Sequence, residues 1–254
     1  SMEFFGQLNM MKGAITTTEA FTTVSPSYSW DIQTPNGGLG LDGVIVAHRN
    51  KLRGIINGID YEVWDPKSDP LLPVNFSIDE MDGKGECRKT LLKECGWKED
   101  KRPLLIFVGR LTEQKGIDIM LDALRPFLTN KVRCVIVGSG NDFYTRKLRE
   151  FQKEYPDSVY AVLEFNEEKA HLAYAGGDIL LMPSLFEPCG LSQLIAFAYG
   201  TIPVARATGG LADTVIDADG SPDGTGFLFK DFSQDELVAT SVIARNLALV
   251  DPQM

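Results

Sequence analysis

The sequence predicts an α/β fold built on a doubly wound parallel sheet, and three observations carry that prediction. From Arg102 onward, short continuous apolar runs alternate with longer segments that are apolar on one helical face. The runs lack the apolar–polar alternation of a half-exposed sheet, so they read as strands buried on both faces. Strands separated by helices form parallel sheets with helices packed on either side.

Residues 1–53 form a first block. Phe5 to Thr18 is expected to be helical and Ala20 to Val24 a buried strand. Ser25-Pro26 is a helix start, Ser as N-cap and Pro at the first helical position. Gly37-Gly38-Leu39-Gly40 reads as a flexible loop and 43–52 as a short helix. This block cannot bury a sheet alone, so it must pack on something else. The second block, 54–254, opens with an apolar strand, Gly54 to Asp60, that enters an Asn57-Gly58 turn. Pro66, Pro70 and Pro73 then imply irregular chain, and Gly83 to Cys95 a charged surface helix.

In the regular part, strands are expected at 103–109, 132–138, 159–163, 179–182, 202–205 and 226–229. Helices are expected at 117–128, 142–155, 166–175, from Leu191 to Gly200, after Gly210, and at 235–250. In the helix after Leu191, the residues Leu191, Leu194, Ile195 and Ala198 would form the buried face.

Composition limits the functional classes. At 44% hydrophobic and 24% charged residues the 254-residue chain is globular, with enough length for a proper core. Its net charge of −10 argues against nucleic acid and anionic membranes as partners. No apolar run approaches the roughly 18 residues of a membrane span. No signal peptide is visible; Ser1-Met2 reads as a cloning remnant, and removal of an authentic leader stays open. The four cysteines lack C-x-x-C spacing and read as reduced thiols of an intracellular compartment.

Candidate chemistry gathers at the carboxyl ends of strands, where ligands bind in open α/β sheets. Glu187 lies on the loop between the 179–182 strand and the next helix, beside the unpaired N–H groups of a helix start. A carboxylate there suits a sugar, whose hydroxyls donate to it and whose anomeric carbon becomes positive in glycosyl transfer. The plainer alternative is a loop carboxylate near a helix dipole, stabilised by a few tenths of a kcal/mol. Gly109 to Gly116 presents Arg110 and Lys115 at the same edge, a fork and a point charge for a diphosphate, or merely a solvated basic loop. Val137-Gly138-Ser139-Gly140-Asn141 fails the G-x-G-x-x-G pattern at Phe143, which disfavours a dehydrogenase. Thr208-Gly209-Gly210-Leu211 allows close backbone approach to a ligand. His171 reads as structural, and no residue set suggests a metal site.

Four stretches together resemble the starch and bacterial glycogen synthases, glycosyltransferase family 5. They are Lys12-Gly13-Ala14-Ile15 through Thr23-Val24-Ser25-Pro26; Gly54 through Asp60; Gly109 through Gly116; and Phe186 through Leu194, continued by Thr208 to Val215. Two stretches, Gly83 to Gly96 and Ile179 to Ser184, look more like plant and algal soluble starch synthases. The resemblance implies the GT-B architecture, two Rossmann-like domains across a cleft, with 1–53 the last segment of the acceptor-side domain and 54–254 the nucleotide-sugar domain.

By the same resemblance, the activity is transfer of glucose from ADP-glucose to the non-reducing end of an α-1,4-glucan with retention, with no cofactor. Arg110 and Lys115 would hold the diphosphate and Glu187 the glucose. Cys189, Gly190, Leu191 and Ser192 would present the helix start to phosphate, Phe165 would lie against adenine, and Thr208, Gly209 and Gly210 would line the sugar side. Two positions depart from the family: Ile195 stands for a usual tyrosine and Leu172 for a usual arginine. The family's first glycine-rich loop and most of its acceptor side have no counterpart here, nor is the helix that crosses back recognisable before Met254. The chain is thus expected to be a truncated donor side, inactive alone and open to self-association. A non-catalytic nucleotide- or glucan-binding relative stays an alternative. The compartment implied is a plastid for a plant or algal protein and the cytoplasm otherwise.

Overall fold

A computed structural model describes residues 2–250; the expectations placed on Ser1 and Met254 lie outside them. The first block starts with a hairpin, β1 (Glu3–Phe4) and β2 (Gln7–Leu8), followed by helix α1 (Met10–Thr17). The continuous helix expected from Phe5 is therefore broken. Phe5 and Gly6 both take left-handed φ values, 49° and 77°, which a two-residue hairpin turn requires. Asn9 then starts α1 by accepting the Lys12 N–H.

Strand β3 (Phe21–Thr23) is only half-buried, and helices α2 (Pro26–Asp31), α3 (Pro35–Gly38) and α4 (Asp42–Ala47) follow it. Thr34 caps α3, so the expected glycine loop shrinks to Leu39-Gly40. A short 3₁₀ turn, Arg49–Lys51, leads into β4 (Leu52–Gly54), which pairs in parallel with β3. The longer strand expected to Asp60 is absent. Its partner ends because Ser25-Pro26 starts α2: the Ile55 N–H still donates to the Thr23 carbonyl at 2.9 Å, and the register ends at Thr23 and Gly54.

The rest follows the predicted alternation. Helix α5 (Asp82–Glu94) precedes β5 (Leu104–Val108), α6 (Ile117–Thr129), β6 (Arg133–Val137), α7 (Asp142–Glu154), β7 (Val159–Val162) and α8 (Glu167–Gly176). Then come β8 (Ile179–Met182), α9 (Ser192–Ala198), β9 (Ile202–Arg206), α10 (Gly209–Thr214), β10 (Phe227–Phe229) and α11 (Gln234–Val250). Asn141 and Asn166 set the starts of α7 and α8 by accepting backbone N–H groups.

Six strands form one parallel sheet in the order β10-β9-β8-β5-β6-β7. In β5, Leu105 and Phe107 enter the core shared with α6, α7 and α11, while Leu104 and Ile106 enter the core under α5 and α8. Burial on both faces explains the unbroken apolar runs. The strand order reverses between β5 and β8, which places a ligand crevice at their carboxyl ends.

Helix α5 is more than a surface helix. Its Lys84 ammonium is buried and donates to the carbonyls of Ala175 (3.1 Å), Gly177 (3.1 Å) and Tyr199 (2.9 Å) and to Thr201 Oγ1 (3.0 Å). These carbonyls belong to the C-terminal ends of α8 and α9, where backbone acceptors lack helical partners. Burial pushes the Lys84 ammonium down from 10.5 to about 8, against the opposing pull of Asp178.

The linker before α5 is pinned by His171. Its Nδ1 donates to Asp69 (2.7 Å), which also accepts from the Tyr199 hydroxyl (2.6 Å), and Trp64 stacks on the imidazole at 3.9 Å. His171 is buried and bonded through Nδ1, while its Nε2 is buried without a hydrogen-bond partner. All four cysteines are free, and burial pushes the Cys95 and Cys134 thiols up to about 12. Among the described residues, no helix is long and apolar enough to cross a membrane.

Candidate functional site

The crevice between β5 and β8 is walled by two loops, 109–116 and 183–191. Glu187 lies in the second and is only 5% exposed. Its Oε2 accepts from Lys115 Nζ at 2.5 Å and from Ser184 Oγ at 3.1 Å. Sequence reasoning placed Glu187 and Lys115 at one edge but did not pair them, since 72 residues separate them. Lys115 ends a 3₁₀ turn (Glu113–Lys115), and Gly116, at φ 71°, passes so close to the Pro183 carbonyl that a Cβ there would collide. The two loops are further joined by Leu185 N–H to the Gln114 carbonyl, 2.8 Å.

Arg110 does not join this pair. It is exposed and donates to Gln114 Oε1 at 3.0 Å, leaving most of its guanidinium at the crevice mouth. The expected convergence of two cations is thus one paired lysine and one open arginine.

The Glu187 loop is held from three sides. Arg206, at the end of β9, donates to the carbonyls of Ser184 (3.2 Å) and Leu185 (2.6 Å). Gln193, fully buried on α9, donates through Nε2 to the carbonyls of Cys189 and Gly190 and to Thr214 Oγ1, each at 3.0 Å. Gly210 N–H donates to the Glu187 carbonyl at 3.0 Å. Ser184, Arg206 and Gln193 were missed by sequence reasoning, because nothing in spacing marks a side chain that bonds to another segment's backbone. The position of Ser184 three residues before Glu187 was the one available signal.

The buried face of α9 differs from the prediction. Gln193, Ile195 and Ala196 are buried, whereas Leu191 is 48% exposed. Leu191 is the N-cap, outside the helical period, and makes no side-chain cap, so the first N–H groups near Ser192 have no side-chain acceptor on that residue. Cys189 is buried and Gly190 takes φ 77°. Phe165, beyond β7, is 87% exposed at the same sheet edge. The departures Leu172 and Ile195 both lie in the core beneath the sheet, not at the crevice surface.

Thr208 is the N-cap of α10. The glycines after it make their close approach to the chain itself. A Cβ on Gly209, at φ 47°, would strike the Glu187 carbonyl, and one on Gly210 would strike Cys189. Gly209→Ala is therefore expected to cost at least about 1–2 kcal/mol from its left-handed backbone alone. Thermal unfolding would register this as a fall of roughly 2–8 °C in a chain of this length.

Residues 90–242, more than half of the chain, match the family described as Glycosyl transferases group 1. The chain belongs to the group 1 glycosyl transferases. Residues 1–47 of this glycosyl transferase chain match a second family, Starch synthase catalytic domain. The glycogen synthase of Thermodesulfovibrio yellowstonii is 44% identical over 245 residues, 96% of this chain and 48% of that protein. The glycogen synthase of Lactiplantibacillus plantarum is 44% identical over 246 residues, 96% of this chain and 51% of that protein. The chain spans about half the length of these relatives.

Among solved structures, the catalytic domain of starch synthase IV from Arabidopsis thaliana, bound to ADP and acarbose, superposes with a TM-score of 0.91 at 36% identity. The match covers 96% of this chain and 51% of that one. Sucrose-phosphate synthase from Thermosynechococcus elongatus, at 21% identity and a TM-score of 0.66, shares the fold. The six-stranded parallel sheet with helices on both faces is thus a half of the GT-B fold. Bacterial relatives lend no support to a plastid location.

Proposed function

We propose that this chain is the donor-binding part of a glucosyl transferase that moves glucose from ADP-glucose to the non-reducing end of an α-1,4-glucan with retention. The observation that carries the reading is the Glu187–Lys115 pair at the crevice where the strand order reverses. A cation there suits a nucleotide diphosphate, and a nearly buried carboxylate suits sugar hydroxyls and a developing positive anomeric carbon. The similarity to a starch synthase solved with ADP and acarbose supports the same assignment.

In this reading Arg110 and Lys115 hold the diphosphate, and Glu187 faces glucose. Backbone N–H groups of Leu191 and Ser192, with Cys189 and Gly190 shaping the turn before them, meet phosphate. The exposed Phe165 ring stacks on adenine, and Thr208, Gly209 and Gly210 support the sugar side. The reading invokes no metal and no cofactor. Residues 1–53 are the last segment of an acceptor-side domain and 54–254 the donor domain. Exposed Phe5, Leu8, Met10, Met11 and Leu39 on the first block would promote self-association, which sedimentation would detect.

ADP-glucose is expected to bind weakly, on the order of millimolar, because the crevice leaves much of the ligand in water. Amide shifts on titration should fall on 109–116, 165 and 187–192; shifts confined to other loops overturn the assignment. The chain alone should incorporate no glucose into glycogen, since transfer needs an acceptor hydroxyl held about 3–3.5 Å from the donor. Clear incorporation of radiolabel by the pure chain refutes that part.

A further inference from the structure

The segment just before α2 touches the Glu187 loop directly. Ser25 is fully buried, and its Oγ donates to the Pro188 carbonyl at 2.7 Å while accepting the Tyr28 N–H at 3.1 Å. Capping the helix aims the hydroxyl, because the lone pair that receives Tyr28 N–H leaves the proton for Pro188. Two residues on, Ser27 donates both its N–H (2.8 Å) and its Oγ–H (2.6 Å) to the Asp213 carboxylate of α10. Helix α10 in turn supplies Gly210, whose N–H donates to the Glu187 carbonyl.

These bonds close a ring: Ser25 to Pro188, Pro188 to its neighbour Glu187, Glu187 to Gly210, Gly210 along α10 to Asp213, and Asp213 back to Ser27. Three segments far apart in sequence meet in it. The peptide carbonyls of Glu187 and Pro188 are consecutive acceptors, one held by α10 and the other by the first block. With both carbonyls fastened, the backbone that carries the carboxylate cannot swing about either peptide plane.

We propose that Ser25, backed by the Ser27–Asp213 pair, is a positioning residue for Glu187, so that the first block sets the aim of the carboxylate toward the donor sugar. The proposal rests on the donor reading above for its sugar, but the ring itself does not depend on it. A merely structural Ser25 would weaken the whole chain alike; a positioning Ser25 acts selectively on the Glu187 loop and on the glucose end of the ligand.

The test uses the 254-residue chain with Ser25→Ala, Ser25→Thr and Ser27→Ala. Hydrogen exchange is followed at the Gly210 amide and at the Ile106 and Val135 amides of the sheet. In Ser25→Ala, Gly210 is expected to exchange about tenfold faster with the sheet amides unchanged, and Ser25→Thr, which keeps the hydroxyl, should restore it. Ser27→Ala, which keeps its backbone bond to Asp213, should move Gly210 the same way by less, and it serves if Ser25→Ala fails to fold. Calorimetry with ADP-glucose and with ADP should show about fivefold weaker binding of the sugar nucleotide in Ser25→Ala and under about twofold change for ADP. Unchanged exchange at Gly210, or equal losses for both ligands, overturns the proposal. If the wild-type chain binds neither ligand, the donor assignment falls, and exchange at Gly210 alone decides whether Ser25 holds the loop.

Discussion

Glu187→Gln is expected to lower glucosyl transfer about 10²–10³-fold, the usual effect of removing one charge aimed at a transition state. The measurement requires an acceptor side, which a chimaera joining this chain to the first half of a glycogen synthase provides. Glutamine keeps the shape of the side chain and can still accept from Ser184 and Lys115, so folding should survive. Lys115→Ala should reduce transfer to a similar extent, but it also strands a carboxylate whose side chain is only 7% exposed. Loss of one member of a buried pair typically costs about 3–5 kcal/mol, and Lys115 retains some contact with water, so the lower end applies. Because the two side chains touch, the double variant should lose less than the product of the single losses. Wild-type turnover in either folded single variant would show the roles to be misassigned.

Lys84→Met should produce a large loss of stability away from the crevice. Methionine fills much of the space but donates nothing, leaving the Ala175 and Tyr199 carbonyls without the ammonium. Each buried acceptor left unpaired costs about 1–3 kcal/mol, partly offset because the ammonium no longer has to be desolvated. A net loss of about 3 kcal/mol, or roughly 6–12 °C in melting temperature, is expected. The pH dependence gives an independent check. With Lys84 lowered to about 8 by burial, the folded chain binds fewer protons than the unfolded chain between about pH 8 and 10.5. Stability contributed by this group therefore rises with pH across that window. The difference between wild type and Lys84→Met should widen from pH 8 to pH 10; a constant difference would mean that the ammonium stays charged throughout.

The sheet was legible because its physics is local to each strand. Runs such as Leu104–Val108 and Ile179–Met182 are buried on both faces, and nothing but apolar residues can serve there. The first block was less legible because its short pieces are fixed by contacts and turns that outweigh periodicity. Phe5-Gly6 turns a hairpin against a helical pattern, and β4 stops where its partner stops, a fact invisible in Gly54 to Asp60 themselves.

At the crevice, the loops and their edge could be read from the sequence, but not the bond between them. Lys115 and Glu187 each looked like a free charge, and only the pairing of β5 with β8 brings them into contact. Gly209 and Gly210 were read as sites of close approach to a ligand; the close approach the structure gives them is to the chain's own Glu187–Cys189 backbone. Gln193 falls opposite the face expected to be buried, yet the structure buries it and sets three acceptors around its amide nitrogen.

The strand order also bears on how the chain assembles. β5 is made first among the six strands yet ends in the middle of the sheet. β6 and β7 can add to one side of it through successive short crossovers. The other side waits for β8, whose Ile179 pairs with Leu105. Until then β5 carries a bare edge of unpaired N–H and C=O groups flanked by Leu104, Leu105 and Ile106, the kind of edge that recruits strands from other chains. A nascent or nicked chain that stops short of Ile179 would keep that edge open, and the segment that closes it also brings Glu187.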